Sequence, residues 1–156
     1  MQIGKIKDIL RTPKTTSVVV TWYYAPEEVV GGRKPFHGSQ ELLHSDHEDT
    51  ISVKSLMERI NVHTLEEYQK LDEILEHDYF SRFFYKAVTR EFVPDQVPVV
   101  CHCEQPYNPD IECVQCDGCT EWYHTECLTP KARADIVAHP GKPYLCDSCI
   151  ANGTTL

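Results

Sequence analysis

Eight cysteines fall between Cys101 and Cys149, and none precedes Cys101. Seven of them join one histidine in four short pairs: Cys101-x-Cys103, Cys116-x2-Cys119, His124-x2-Cys127 and Cys146-x2-Cys149. Twelve, four and eighteen residues separate successive pairs. Two sulfurs this close along a chain can reach a single ion at about 2.3 Å, and imidazole is the usual companion of thiolate at zinc. Four pairs are enough for two tetrahedral Zn²⁺ sites, with Cys113 left over. One C-x2-C alone is compatible with a redox pair or with chance. Four pairs in so short a window, one of them His-x2-Cys, leave little room for either.

These ligands need positioning, and the segment that carries them has little else to hold it. Residues 99–156 contain few large aliphatic side chains, so burial alone leaves them marginal. A structural zinc contributes on the order of 10–16 kcal/mol of apparent folding free energy, which makes good that deficit. One helix is predicted over Pro130–His139, with Thr129 as N-cap, proline at the first helical position and Gly141 at its end.

The cysteine-free segment reads mostly as β-structure. Ser17–Tyr24 is rich in β-branched and aromatic residues and stops before Pro26. Shorter strands are expected at Glu41–His44, Arg59–Thr64, Phe83–Ala87 and Glu91–Val93, with a loop over Gly31–Pro35. A short helix is expected at Thr64–Leu71, with Thr64 and Glu67 as a capping box. Strand spacing points to a small barrel or sandwich, not a βαβ fold. The expected fold class is therefore mainly β with a small zinc-stabilised module. The prolines of Pro94-Asp-Gln-Val-Pro98 mark the break, giving residues 1–98, 99–150 and a tail over 151–156.

The 156 residues are 41% hydrophobic and 25% charged, a globular balance. Fifteen Lys+Arg against 24 Asp+Glu give −9, which argues against a wide electropositive nucleic-acid footprint and against sequence-specific DNA binding. Residues 1–98 carry 12 basic and 16 acidic side chains; residues 99–156 carry 3 and 8. Loading two Zn²⁺ on seven thiolates moves the formal charge to about −12, which suits a cationic peptide partner. Apolar runs fall short of the roughly 18 residues of a membrane helix, and the first ten residues lack a signal-peptide core. A soluble, intracellular protein is expected, and the sequon at Asn152-Gly-Thr154 is read as chance.

The ligand order of four cysteines, one histidine and three cysteines, with Trp122 two residues before His124, resembles a PHD finger. The RING variant with the same order typically has one residue between ligands three and four and a longer gap before the histidine. Here the gaps are two and four. The resemblance implies a cross-brace: Cys101, Cys103, His124 and Cys127 on one zinc, and Cys116, Cys119, Cys146 and Cys149 on the other. It also implies a reader of the histone H3 N-terminal tail. Tyr107, Cys113 and Trp122 then line a methyl-lysine cage, with Cys113 where relatives often carry methionine. Asp117 pairs with the second-position arginine of the tail. Ile111–Gln115 receives the tail as an added strand, and the backbone of Gly141–Tyr144 holds its amino terminus.

Trp22-Tyr23-Tyr24-x-Pro26-Glu27-Glu28, Gly31-Gly32-Arg33, Phe36-His37-Gly38 and Glu41-Leu42-x-x-Ser45-x-His47-x-Asp49 resemble a BAH domain. With Val62-His63-Thr64, Asp78-Tyr79 and Phe92-x-Pro94-Asp95, the whole chain is similar to the plant BAH–PHD chromatin family of the short life and early bolting in short days type. That similarity implies a nuclear, non-enzymatic chromatin regulator whose BAH domain reads trimethyl-lysine at position twenty-seven of H3. Trp22 and Tyr24 become cage walls, and His47 and Asp49 peptide contacts. Two residues apart in a strand, the two rings share one face; packing in a β-core is the other fate of such a pair. A His–Asp pair without a partnered nucleophile gives no support to catalysis. The family's third cage aromatic falls where Met1 and Gln2 stand, so the BAH domain is expected to be N-terminally incomplete. Two other readings stay open: a RING-like E3 ubiquitin ligase, and a structural zinc module for non-histone contacts. Recruitment of chromatin-modifying complexes is compatible with the first reading.

Overall fold

A computed structural model describes residues 2–155, and the chain divides into two compact units between Gln96 and Val97. In the first unit the run Thr16–Tyr24 forms β2, flanked antiparallel by β1 (Ile3–Arg11) and β3 (Glu41–Ser52). Further along come β4 (Asn61–His63), β5 (Asp78–Lys86) and β6 (Glu91–Val93). They complete a six-stranded sheet ordered β1-β2-β3-β5-β4, with β6 also paired to β5. Val18 and Val20 of β2, Leu42 and Leu43 of β3, and Phe80, Phe83 and Tyr85 of β5 form the buried core. Burying a side chain such as Phe80 stabilises by about 1.5–3 kcal/mol.

The helix α1 (Leu65–Tyr68) is one turn long and could not persist alone. Its capping box closes as expected, with Thr64 Oγ1 accepting from Glu67 N at 3.2 Å and Glu67 Oε2 from Thr64 N at 2.9 Å. Tyr68, 2% exposed, anchors it on Phe80 with ring centroids 4.7 Å apart. This anchor creates a feature that strand spacing had argued against. β4, α1 and β5 make a miniature parallel crossover, and β3 also runs parallel to β5.

β1 was not expected from the sequence. Its register with β2 slips at Lys7: Ile6 pairs with Val20 and Asp8 with Val19. The bulge returns Ile9, which pairs with Val18, to the face of Ile6, so the apolar spacing is three where an unbroken strand gives two.

Two polar networks stitch the sheet together. Arg82 of β5 grips buried Glu41 through Nε–Oε1 at 2.8 Å and Nη2–Oε2 at 3.1 Å, and Nη2 also donates to Phe36 O at 2.8 Å. Asp78 accepts from Asn61 Nδ2 at 3.0 Å and from Leu75 N at 3.1 Å, with His63 Nε2 at 3.1 Å.

In the second unit, β7 (Val99–Val100) pairs with β8 (Gln105–Pro106), and β9 (Cys113–Gln115) with β10 (Trp122–His124). α2 (Pro130–Ala138) begins at the expected cap, Thr129 Oγ1 accepting from Ala132 N at 3.3 Å. It buries no residue, and Arg133 ties it down by donating to Thr125 O at 3.0 Å and Glu126 O at 2.6 Å. α3 (Asp147–Ala151) ends the unit.

Candidate functional site

Residues far apart in sequence converge on two clusters, Cys101–Cys103–His124–Cys127 and Cys116–Cys119–Cys146–Cys149. In each, the ligand atoms lie within 4.8 Å of one another. A tetrahedral ZnS₄ centre with bonds of about 2.3 Å has S···S edges of about 3.8 Å, and Cys119 Sγ lies 3.9 Å from Cys146 Sγ. At the other cluster His124 Nδ1 faces Cys103 Sγ at 3.4 Å and Cys127 Sγ at 3.9 Å, which makes Nδ1 the metal-facing nitrogen.

The electrostatics of the clusters also call for a cation. Burial and then hydrogen bonding with Cys101 and Cys103 push the Cys127 thiol up to about 12. Burial followed by Cys146 and Cys116 does the same to Cys149. Burial raises Cys116 as well, but the N–H groups of Cys146, Cys119 and Gly118 outweigh it and bring that thiol down to about 6. Four sulfurs crowded this closely cannot all ionise unaided, and a divalent ion removes the conflict. Each cluster is able to hold a zinc ion. Cys146 N donates to Cys116 Sγ at 3.3 Å, a contact that orients the ligand.

The Cys116–Cys119 knuckle depends on a glycine that the sequence reading passed over. A Cβ at Gly118 would lie 2.9 Å from Leu145 Cδ2 and 3.0 Å from Cys149 Sγ. Thr120 closes the knuckle in the left-handed region at φ +62°, donating from its N to Cys116 O at 2.8 Å.

β9 and β10 carry the remaining finger residues. Trp122 pairs with Gln115 and His124 with Cys113, so Trp122 and Cys113 lie diagonally on one face. Trp122 is 45% exposed, and Cys113 is half-buried with its thiol pushed up by burial and by Cys101 and Cys103. Tyr123, on the opposite face, packs on the second cysteine cluster. Asp117 is linked to Tyr144 twice: its N donates to Tyr144 O at 2.8 Å, and its Oδ2 accepts from Tyr144 N at 2.8 Å. The Gly141–Tyr144 segment is thereby fixed beside the knuckle. Tyr107 is half-buried after β8, next to buried Asn108.

In the sheet unit, Trp22 and Tyr24 lie two apart on β2 and have different neighbours. The Trp22 ring lies over Gly4, where a Cβ would meet Cε3 at 3.1 Å. Tyr24 stacks on His47 at 6.0 Å, with Oη 2.6 Å from His47 Nδ1, and meets the edge of Tyr85 at 5.6 Å. A bulge makes that meeting possible. Between the pairs Thr21–Glu48 and Tyr23–His44, Trp22 alone opposes Ser45, Asp46 and His47. Buried Ser45 holds the bulge by donating from Oγ to Trp22 O at 2.7 Å and accepting from His47 N at 3.1 Å. Asp46 Oδ1 accepts from Ala87 N at 2.8 Å. Asp49 turns to its own backbone, Oδ1 accepting from Thr50 N at 2.7 Å. Asp46 and Tyr85 were not singled out by sequence, because their role arises from pairing β3 with β5.

A bulged mixed sheet followed by an interleaved two-site zinc module defines a BAH domain joined to a PHD finger. Residues 1–96 match the BAH domain family and residues 101–149 the PHD-finger family, and the chain belongs to the BAH–PHD proteins. It is 50% identical over 107 residues to the chromatin remodeling protein EBS of Arabidopsis thaliana, covering 69% of this chain and 46% of that one. It is 42% identical over 134 residues to the chromatin remodeling protein SHL of the same organism, covering 85% and 57%. The chain thus spans about half the length of the curated relatives it matches.

Proposed function

We propose that the chain is a nuclear chromatin reader without catalytic activity, which binds methylated lysines on the histone H3 tail and so regulates transcription. The PHD finger takes the tail end with a trimethylated fourth-position lysine, and the BAH domain takes trimethyl-lysine at position twenty-seven. The observation that carries this reading is the β9–β10 pair. Among the described residues only β10 pairs with β9, so the second edge of β9 is available to an extended peptide. On the same pair Trp122 offers a half-exposed aromatic face for a methylammonium, a contact of about 0.5–2 kcal/mol. Tyr107 and Cys113 complete the proposed cage. Asp117, with one carboxylate oxygen on Tyr144 N, keeps the other for an arginine of the tail. In the BAH domain Trp22 and Tyr24 serve the internal lysine, and His47 and Asp49 flank the peptide. The naming of EBS and SHL as chromatin remodeling proteins supports the setting.

Calorimetry with H3 peptides, unmodified and trimethylated at position four or twenty-seven, tests the reading. Methylation at four should tighten binding, and Trp122→Ala should abolish that gain while both zincs stay bound. Trp22→Ala should affect only the internal mark. Equal binding of all peptides by the zinc-loaded chain would sink the proposal.

A further inference from the structure

Asp117 cannot clasp an arginine alone. A guanidinium carries five N–H donors in a rigid planar fork, and its strongest mode is bidentate, on both oxygens of one carboxylate. Here Oδ2 already accepts from Tyr144 N at 2.8 Å. The clasp is therefore incomplete, and the fork needs a second acceptor close to the remaining oxygen. Gln115, two residues before Asp117, has one to offer. It pairs across the β9–β10 ladder with Trp122, so the two side chains share a face. Gln115 is exposed, and its Nε2 donates to Thr120 O at 2.9 Å. A carbonyl oxygen only accepts, so this contact fixes which end of the amide is which. Oε1, on the other side of the amide, has no hydrogen-bond partner among the described residues.

The anchor of this amide is stiff. Thr120 sits at φ +62°, its N donating to Cys116 O at 2.8 Å and its Oγ1 to Cys119 O at 2.6 Å. Both cysteines belong to the second metal cluster, so bound zinc braces the turn that holds Gln115. An acceptor fixed in this way loses little freedom when a ligand arrives. The anchor also draws the amide toward the knuckle, which carries Asp117, and away from Cys113 at the other end of β9.

We propose that Gln115 is a specificity-determining residue of the finger: its Oε1 and the second oxygen of Asp117 together accept the guanidinium of the tail's second-position arginine. This rests on the histone-tail reading given above. A lysine ammonium reaches Asp117 as a point charge but does not match two spaced acceptors. Dimethylated arginine keeps its charge but loses donors from the fork. Gln115 thus separates unmodified arginine from both.

The test is calorimetry of the full zinc-loaded chain with three H3 tail peptides, all trimethylated at position four and carrying arginine, lysine or dimethylarginine at position two. Gln115→Ala should weaken the arginine peptide about tenfold, the worth of one hydrogen bond to a charged group. The lysine and dimethylarginine peptides should stay within about twofold, with zinc content unchanged. Gln115→Glu keeps an acceptor but gives up the donor to Thr120 O, and it should retain the preference for arginine. An equal loss on all three peptides in Gln115→Ala would overturn the proposal. So would loss of the preference in Gln115→Glu, since the clamp on Thr120 and not the acceptor would then be at work. Asp117→Asn separates this inference from the reading beneath it. If the unaltered chain does not prefer arginine and Asp117→Asn changes nothing, the arginine contact of Asp117 falls and takes the proposal with it. If Asp117→Asn abolishes a preference that Gln115→Ala preserves, the proposal alone falls.

Discussion

At the residue scale, Gly118 is where the second metal site is most exposed to damage. It fills the turn between two cysteine ligands, and the space a methyl group would need belongs to Leu145, Cys149 Sγ and Thr154. Gly118→Ala is expected to displace the Cys149 sulfur and lower zinc retention by at least tenfold, beginning at this site. Competition with a chromogenic chelator would show release at a lower chelator concentration; release as in the unaltered chain would contradict the geometry. The eight ligands were legible in the sequence because coordination chemistry fixes both their types and their spacing. Gly118 was not, because its neighbours arrive from 27 to 36 residues further along.

At the scale of elements, the Asp78 cluster joins β4 to β5 and sets an acid limit. Hydrogen bonds from Asn61, then His63 and Leu75 N, hold the Asp78 carboxyl at about 2, below its ordinary value of about 3.9. On acidification the unfolded chain takes up this proton first. The stabilisation is therefore complete above about pH 4 and disappears as pH falls through about 2. Asp78→Asn should lower the urea midpoint of the β-sheet unit at pH 7, as followed by amide signals of β5. The gap from the unaltered chain should close between about pH 4 and 2; a gap independent of pH would remove Asp78 from the account. Elements with strong local signals were legible, such as the valine-rich β2 and the capped helices. β1 was not, since its bulge at Lys7 spaces apolar residues by three and disguises the strand. The bulge at Ser45–His47 was equally hidden, because it exists only relative to Trp22 on the neighbouring strand.

The whole molecule rests on two different kinds of stabilisation. Residues 1–96 have a core of aromatic and aliphatic side chains, whereas among the described residues beyond them three of the four buried hydrophobic ones are cysteine ligands. Chelation should therefore collapse the finger, for which each zinc contributes on the order of 10–16 kcal/mol, while the sheet persists. Two-dimensional amide spectra recorded with and without EDTA would show loss of dispersion confined to residues 97–156; collapse of both sets would refute the division. The interleaving of the ligands has a further consequence. The Cys116–Cys119 knuckle lies between the two halves of the first cluster, and Cys127 lies between the two halves of the second. Vacating either centre frees the very segment that anchors the other. As free zinc falls, the finger's occupancy thus drops over a narrow concentration range, giving a threshold response to metal supply instead of a graded one.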